Sequence, residues 1–456
     1  MTPPPTISPS ARRAAIRSLQ SGTIGAIVEW YEYTIYGATA ALVFGTLFFP
    51  GFAPGIGQIA ALATFGVGFL ARPVGAFVAG HLGDRIGRKS TLILTFSVMT
   101  VATALIGMLP TFSQIGVAAP ILLCVLRLAQ GFAVGGEWGG AAIIAVENAP
   151  RDRRGFYGSW PQIGVSSGLL LGSAAIAFAV AVSGDDFEVW GWRIPFLLAI
   201  PLAIVGFVIR LRAQESPAFL VEKARQDALV EKERAPVVVL FRDHRRPLLI
   251  AIFARFAEAG NYYIFTIFVL SYITTEFDVS RQVGLVATMI GAGANVALIP
   301  VYGKLSDRIG RPKTFLLGGA CIIVTTVPIL LLIQTGQTWA IIAGVVLFMG
   351  LGHGLVYAPQ PALYCELFPT AVRYTGISVG YQMAAVLLSS FTPALAAALV
   401  VFSGGALWPI MIFAIVTTGI AMVAVRMAPD RRDVELDRIG MPDLPSVARE
   451  PAYLSR

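Results

Sequence analysis

Charge is scarce in this 456-residue chain: Asp, Glu, Lys and Arg make up 13% of it, against 56% hydrophobic residues. A soluble fold has too little interior to bury that much apolar surface, so the composition excludes a water-soluble protein and points to a bilayer. Cysteine is nearly absent, and Cys124, Cys321 and Cys365 all sit inside apolar runs, which argues against a disulfide framework. The three histidines have no partner at ligand spacing, so no metal site is expected. No nucleophile with an adjacent base stands out, and the chain is not read as an enzyme. The net charge of +8 is spread over separate loops rather than gathered into a patch, which argues against nucleic acid as a partner. The first 20 residues are proline-rich and then basic, with no apolar core ahead of a small-residue cleavage site, so no removable signal peptide is expected.

What the chain does have is long uncharged runs. Residues 90–109 and 314–334 carry no charge at all, and each matches the roughly 20 residues that cross about 30 Å of hydrocarbon as a helix. The pattern predicts an all-α membrane protein with twelve spans, near 21–49, 57–80, 90–109, 115–148, 155–182, 190–211, 247–275, 283–304, 313–334, 338–366, 371–401 and 405–427. They group as a tail (1–20), a six-helix bundle (21–211), a loop of alternating acids and bases (212–246), a second six-helix bundle (247–427) and a second tail (428–456). Lys and Arg collect on alternate loops, which places those loops and both termini on the cytoplasmic side.

One charged string occurs twice. Gly80-His81-Leu82-Gly83-Asp84-Arg85-Ile86-Gly87-Arg88-Lys89 returns 223 residues later as Gly303-Lys304-Leu305-Ser306-Asp307-Arg308-Ile309-Gly310-Arg311-Pro312-Lys313. A second pair agrees: Glu147 precedes Arg154 by seven residues, as Glu366 precedes Arg373. Duplicated membrane halves are how many carriers build a site between two rocking bundles.

The repeated string resembles the signature between the second and third helices of the major facilitator superfamily. Three further strings, 29–37 (EWYEYTIYG), 127–140 (RLAQGFAVGGEWGG) and 190–196 (WGWRIPF), are similar to its metabolite:proton symporter branch, with shikimate permease-like members nearest. The resemblance implies a bacterial inner-membrane carrier that imports organic acids or osmolytes with protons, needs no cofactor beyond the proton gradient and works as a monomer. It also implies that the repeated loops, through Gly80, Gly83, Asp84, Arg85, Gly87, Arg88, Lys89, Gly303, Asp307, Arg308, Gly310 and Arg311, together with Glu147, Arg154, Glu366 and Arg373, latch the bundles in the outward-open state. Glu32 departs from the branch, which more often has Asp there, and the tail after Met427 lacks the coiled coil of the osmosensing proline and betaine carriers.

Charged residues near the bilayer midplane cost on the order of 2.5–3.5 kcal/mol each on insertion scales, so they face partners or an aqueous cavity. Glu29, Glu32, Tyr33 and Tyr36 follow helical spacing along one face of the first span, which is expected to line the cavity, with the two phenols toward the substrate. Protonation and ion pairing compete for such carboxylates, which makes Glu29 and Glu32 candidates for proton coupling. Arg127, with Gln130 one turn on, is either a ligand for the substrate anion or a carboxylate partner and coupling residue. Arg255 is a substrate-anion candidate, with Glu258 one turn away either neutralising it or sharing the site. Glu137 beside Trp138 is a stop on a proton path or a packing residue. Trp160, Gln162, His353, Gln360, Tyr381 and Gln382 are polar or amphipathic candidates for lining the cavity. A proton-coupled importer of a small carboxylate leads. Zwitterionic osmolyte symport is the alternative; helix five lacks the Gly-Pro pair of drug antiporters, and no added soluble domain suggests a sensor.

Overall fold

In hydrocarbon no water satisfies a peptide group, so each crossing segment closes its own hydrogen bonds and the chain becomes helical. The computed structural model describes residues 9–86, 88–134, 137–211 and 236–439, and among these there is no strand. Twelve long helical segments follow in order. The first half contains α1 (Pro9–Thr39, continued to Phe48), α2 (Pro54–Ile86), α3 (Arg88–Met108), α4 (Ala118–Val134 and Glu137–Glu147), α5 (Trp160–Ser183, after a short turn Arg154–Gly158) and α6 (Ile194–Leu211). The second half contains α7 (Arg245–Glu276), α8 (Arg281–Ile309), α9 (Arg311–Ile333), α10 (Thr338–Leu367), α11 (Thr370–Phe402) and α12 (Trp408–Arg426). Most of the expected inter-bundle loop, 212–235, lies outside the described residues.

Two details differ from expectation. The first helix begins at Pro9 rather than near 21. The repeated "loop" is hardly a loop, because α8 ends at Ile309 and α9 begins at Arg311. Gly310 alone makes the break, at φ +102°, a conformation that strains any residue with a Cβ. That is why the string carries glycine there.

Small residues decide which helices touch. Gly164, Gly168 and Gly172 of α5 face Thr23, Ile27 and Thr34 of α1 in register, so these two helices run side by side in one direction. Gly131 of α4 lies against the Gly68 backbone of α2. Between the bundles, α5 runs antiparallel to α8: Gly155 meets Gly303 at one end, and at the other Gln282 Nε2 donates to the Ala177 carbonyl at 3.0 Å. In the same way α2 opposes α11, with Gly66 against Ser390 and Gly55 against Val401. Here the face carrying Gly303–Arg311 is called the motif face. Large apolar side chains such as Phe77 and Phe402 stay 79% exposed on the outside, as expected of a lipid-facing surface.

Candidate functional site

In the first bundle, four helices bring their polar residues to one level. Arg127 of α4 is fully buried, with its guanidinium carbon 4.3 Å from the ring centre of Tyr33 and 4.2 Å from that of Tyr36. Its Nη1 donates to Gln130 Oε1 at 3.0 Å, and its Nη2 has no hydrogen-bond partner among the described residues. Gln130 Nε2 then donates to Thr103 Oγ1 of α3 at 2.6 Å, and Thr103 Oγ1 is hydrogen-bonded to Glu32 Oε2. Glu32 forms no direct ion pair, and its other oxygen has no hydrogen-bond partner, among the described residues. Tyr36 closes the layer by sharing a hydrogen bond with the Thr64 hydroxyl at 2.6 Å.

Sequence reasoning missed Arg72. This fully buried guanidinium on α2 donates from Nε to the Tyr33 hydroxyl at 3.2 Å and lies 3.8 Å from Glu29. Its guanidinium carbon is 4.4 Å from the Tyr33 ring centre, so Arg72 and Arg127 both pack on one phenol. The signal was available: a lone arginine deep in the apolar run 57–80 needs a partner. Glu29 and Glu32 were expected on a common cavity face. Instead Glu29 turns to α2, and Glu32 turns into its own bundle toward α3.

In the second bundle Arg255 Nε pairs with Glu258 at 3.0 Å, one turn away. Its Nη1 donates to the Tyr381 carbonyl at 2.6 Å, and its Nη2 has no partner among the described residues. The Tyr381 ring stacks on Trp138 of the first bundle at 3.9 Å, and Trp138 Nε1 donates to Gln162 Oε1 at 2.9 Å. Gln162 in turn donates to the Tyr357 carbonyl at 3.1 Å. Tyr381, Trp138, Gln162 and Tyr357 therefore bolt the bundles together between the buried arginines and the motif face. Nearer the centre, Tyr262 meets Trp30 edge-on and Tyr263 meets Phe65.

Several neutral groups of this bundle are buried without a partner among the described residues: both Gln360 amide atoms, His353 Nε2, and the hydroxyls of Tyr262, Tyr263 and Tyr357. His353 Nδ1 lies 2.9 Å from the Asn295 amide of α8, another residue that sequence reasoning passed over. Gln382 is buried beside Tyr381. Trp160 is a correction: it was expected to line the cavity, but at the first turn of α5 it points outward, 42% exposed, with its ring against Phe156. The side chain of Glu137 lies outside the described residues.

Both faces are closed. On the motif face the Asp307 carboxylate accepts from the Gly155 and Phe156 amides at 2.7 and 2.9 Å, so the second bundle caps the otherwise unpaired N–H groups of the short turn Arg154–Gly158 that leads into α5. Arg373 pairs with Glu147 across the seam at 2.6 Å, and Arg311 pairs with Glu366 at 3.3 Å and with Asp307 at 2.9 Å. Glu147 and Arg154 share the seven-residue spacing yet do not pair with each other; Arg154 instead holds Glu435 at 3.7 Å and the Val434 carbonyl at 2.7 Å. Arg308 lends its carbonyl to Arg432. The matching side chains of the first copy, Asp84, Arg85, Arg88 and Lys89, lie outside the described residues, as does Gly87, while Gly80 and Gly83 lie in the last turns of α2. On the opposite face Arg281 pairs with Glu188, and Gln58 Nε2 donates to Ser271 Oγ at 3.1 Å. Contacts on the motif face thus coexist with contacts across the other face, and the site between them is occluded.

Two helical bundles closed at both ends around a buried polar layer define a membrane transporter. A family model described as Major Facilitator Superfamily matches residues 15–389 and 251–451, and the chain belongs to that superfamily. It is 40% identical over 424 residues to the shikimate transporter of Escherichia coli (strain K12), covering 92% of this chain and 95% of that protein. It is 35% identical over 423 residues to the proline/betaine transporter of the same strain, covering 89% and 83%. In fold it is similar to a solved proton:xylose symporter bound to 6-bromo-6-deoxy-D-glucose, with a TM-score of 0.72, 15% identity, and coverage of 94% and 98%.

Proposed function

We propose that the protein is a proton-coupled symporter that imports a small organic acid, shikimate-like or a related carboxylate, by alternating access across a bacterial inner membrane. One observation carries this reading. At the level of the buried layer the described side chains include three guanidiniums, Arg72, Arg127 and Arg255, and three carboxylates, Glu29, Glu32 and Glu258. Glu29 and Glu258 lie beside arginines, whereas Glu32 does not. A proton on Glu32 therefore leaves these six described groups with one positive charge in excess, which a single carboxylate substrate neutralises. The unpaired Nη2 atoms of Arg127 and Arg255 are the donors for it. Loading a proton with an anion then leaves the occluded site at the charge it had when empty, avoiding the cost of a bare charge at midplane.

The second reading is a zwitterionic osmolyte, as the name of the proline/betaine relative suggests. The buried amide of Gln360, the His353 ring nitrogen and the tyrosine hydroxyls favour the hydroxylated acid over betaine. A quaternary ammonium offers these groups no hydrogen bond, while ring hydroxyls offer several, and an unmet buried polar group is costly. The motif-face contacts would form the inner gate, with Asp307 as its principal latch. Purified protein in proteoliposomes, given an inward pH gradient, is expected to accumulate shikimate in preference to betaine and proline. Uptake indifferent to the gradient would remove the coupling, and uptake of betaine alone would move the assignment to osmolytes.

A further inference from the structure

The contacts around Thr103 contain a directional chain. Arg127 Nη1 donates to Gln130 at 3.0 Å, Gln130 Nε2 donates to Thr103 at 2.6 Å, and the Thr103 hydroxyl donates to Glu32. Every donor points from the guanidinium toward the carboxylate. Such head-to-tail chains polarise one another and strengthen in a low-dielectric interior. Arg127 and Glu32, which do not touch, are thereby held as an ion pair bridged by two neutral side chains.

The last link can reverse. Thr103 has one hydroxyl hydrogen and two acceptors in reach, Glu32 Oε2 and the Met99 carbonyl at 2.9 Å. With Glu32 ionised, the hydrogen goes to Glu32. With Glu32 protonated, the new carboxyl O–H donates to Thr103 Oγ1, and the Thr103 hydrogen turns to Met99. The oxygen's two lone pairs then receive Glu32 and Gln130, so the hydroxyl hydrogen has an acceptor in both protonation states.

We propose that Thr103 and Gln130 are positioning residues that transmit the protonation of Glu32 to Arg127: a proton on Glu32 reverses the Thr103 link, ends the bridged ion pair and frees the Arg127 guanidinium for the substrate carboxylate. This rests on the proton-coupled acid reading above. The charged groups near Glu32 are Glu29 on its own helix, Arg127 from α4 and, beside Glu29, Arg72 from α2. Helix α3 presents Thr103. The described part of α5 places no charge there, and Arg193 at the start of α6 is bound to the Gly107 and Leu109 carbonyls at 2.9 and 2.8 Å. Thr103 is the group in hydrogen-bond contact with Glu32.

The first test needs no substrate. Infrared difference spectra of wild type against E32Q across pH isolate the carboxylic C=O stretch of Glu32. In T103V, which keeps the shape but not the hydroxyl, that band is expected at higher frequency with a changed pH midpoint; T103S is expected to match wild type. An unchanged band in T103V overturns the relay. The second test uses shikimate uptake: the wild-type KM should change about tenfold per pH unit where one proton must bind first. In T103V and Q130M it should change less than twofold per unit while substrate counterflow persists. Variants that keep the full tenfold dependence would refute the relay and leave the symport reading intact; a wild-type KM without pH dependence would remove both. Q130M leaves the Glu32–Thr103 contact in place, so it carries the uptake test should T103V fail to fold.

Discussion

If the site stays balanced in charge, transport of a monocarboxylate must be electroneutral, and the numbers separate this sharply from the alternative. One proton per anion carries no net charge across the membrane. A pH gradient of one unit is then worth about 1.36 kcal/mol per proton and sustains about tenfold accumulation. A membrane potential of 100 mV contributes nothing, although it is worth about 2.3 kcal/mol per elementary charge and would sustain about 50-fold accumulation of a zwitterion moving with one proton. The assay is uptake of labelled shikimate into proteoliposomes, with a valinomycin potassium potential or a pH jump imposed separately. Glu32→Gln removes the unpaired carboxylate and should abolish pH-driven accumulation while counterflow continues. Shikimate accumulation driven by the potential alone, or a pH-driven gradient surviving in E32Q, would refute the charge count.

Two further outcomes follow from the packing. Asp307 bonds two amides of the other bundle at 2.7 and 2.9 Å, so Asp307→Ala should loosen the motif face by about 3–6 kcal/mol at roughly 1.5–3 per charged hydrogen bond. Glu147→Ala, which removes a pair whose acid is 40% exposed, should cost about 1 kcal/mol or less. Hydrogen–deuterium exchange in nanodiscs over 299–306 should rise strongly in the first variant and little in the second; equal effects would contradict the ranking. A Cβ at Gly131 meets the Gly68 backbone, which no rotamer change relieves, so Gly131→Ala should lower the melting temperature, by about 1–3 kcal/mol or more of stability. Gly293 and Gly419 have open space at that position, and alanine there should stabilise by about 0.4–1 kcal/mol in the same melts.

The string at 303–313 shows how far residues alone reach. Its repetition pointed to two halves, and its glycines fit their surroundings, Gly303 for the close approach of α5 and Gly310 for a positive φ. Its aspartate was read as a latch residue, but the acceptor role of Asp307 toward the turn that leads into α5 could not be foreseen, because Gly155 lies 152 residues away.

The sequence by itself determined the medium, the helices and the inventory of buried charge, since hydrocarbon thickness fixes span length and each intramembrane charge stands out against an apolar run. Helical periodicity also determined which residues share a face. Only the tertiary structure decided what lies opposite that face. It gave Arg72 to Glu29, led Arg127 to Glu32 through Gln130 and Thr103, turned Trp160 outward, and crossed Glu147 to Arg373 instead of Arg154. The reason is that partners within one helix are set by a period of 3.6 residues, whereas partners between helices are set by which small residues let two backbones approach, and that choice involves the whole bundle at once.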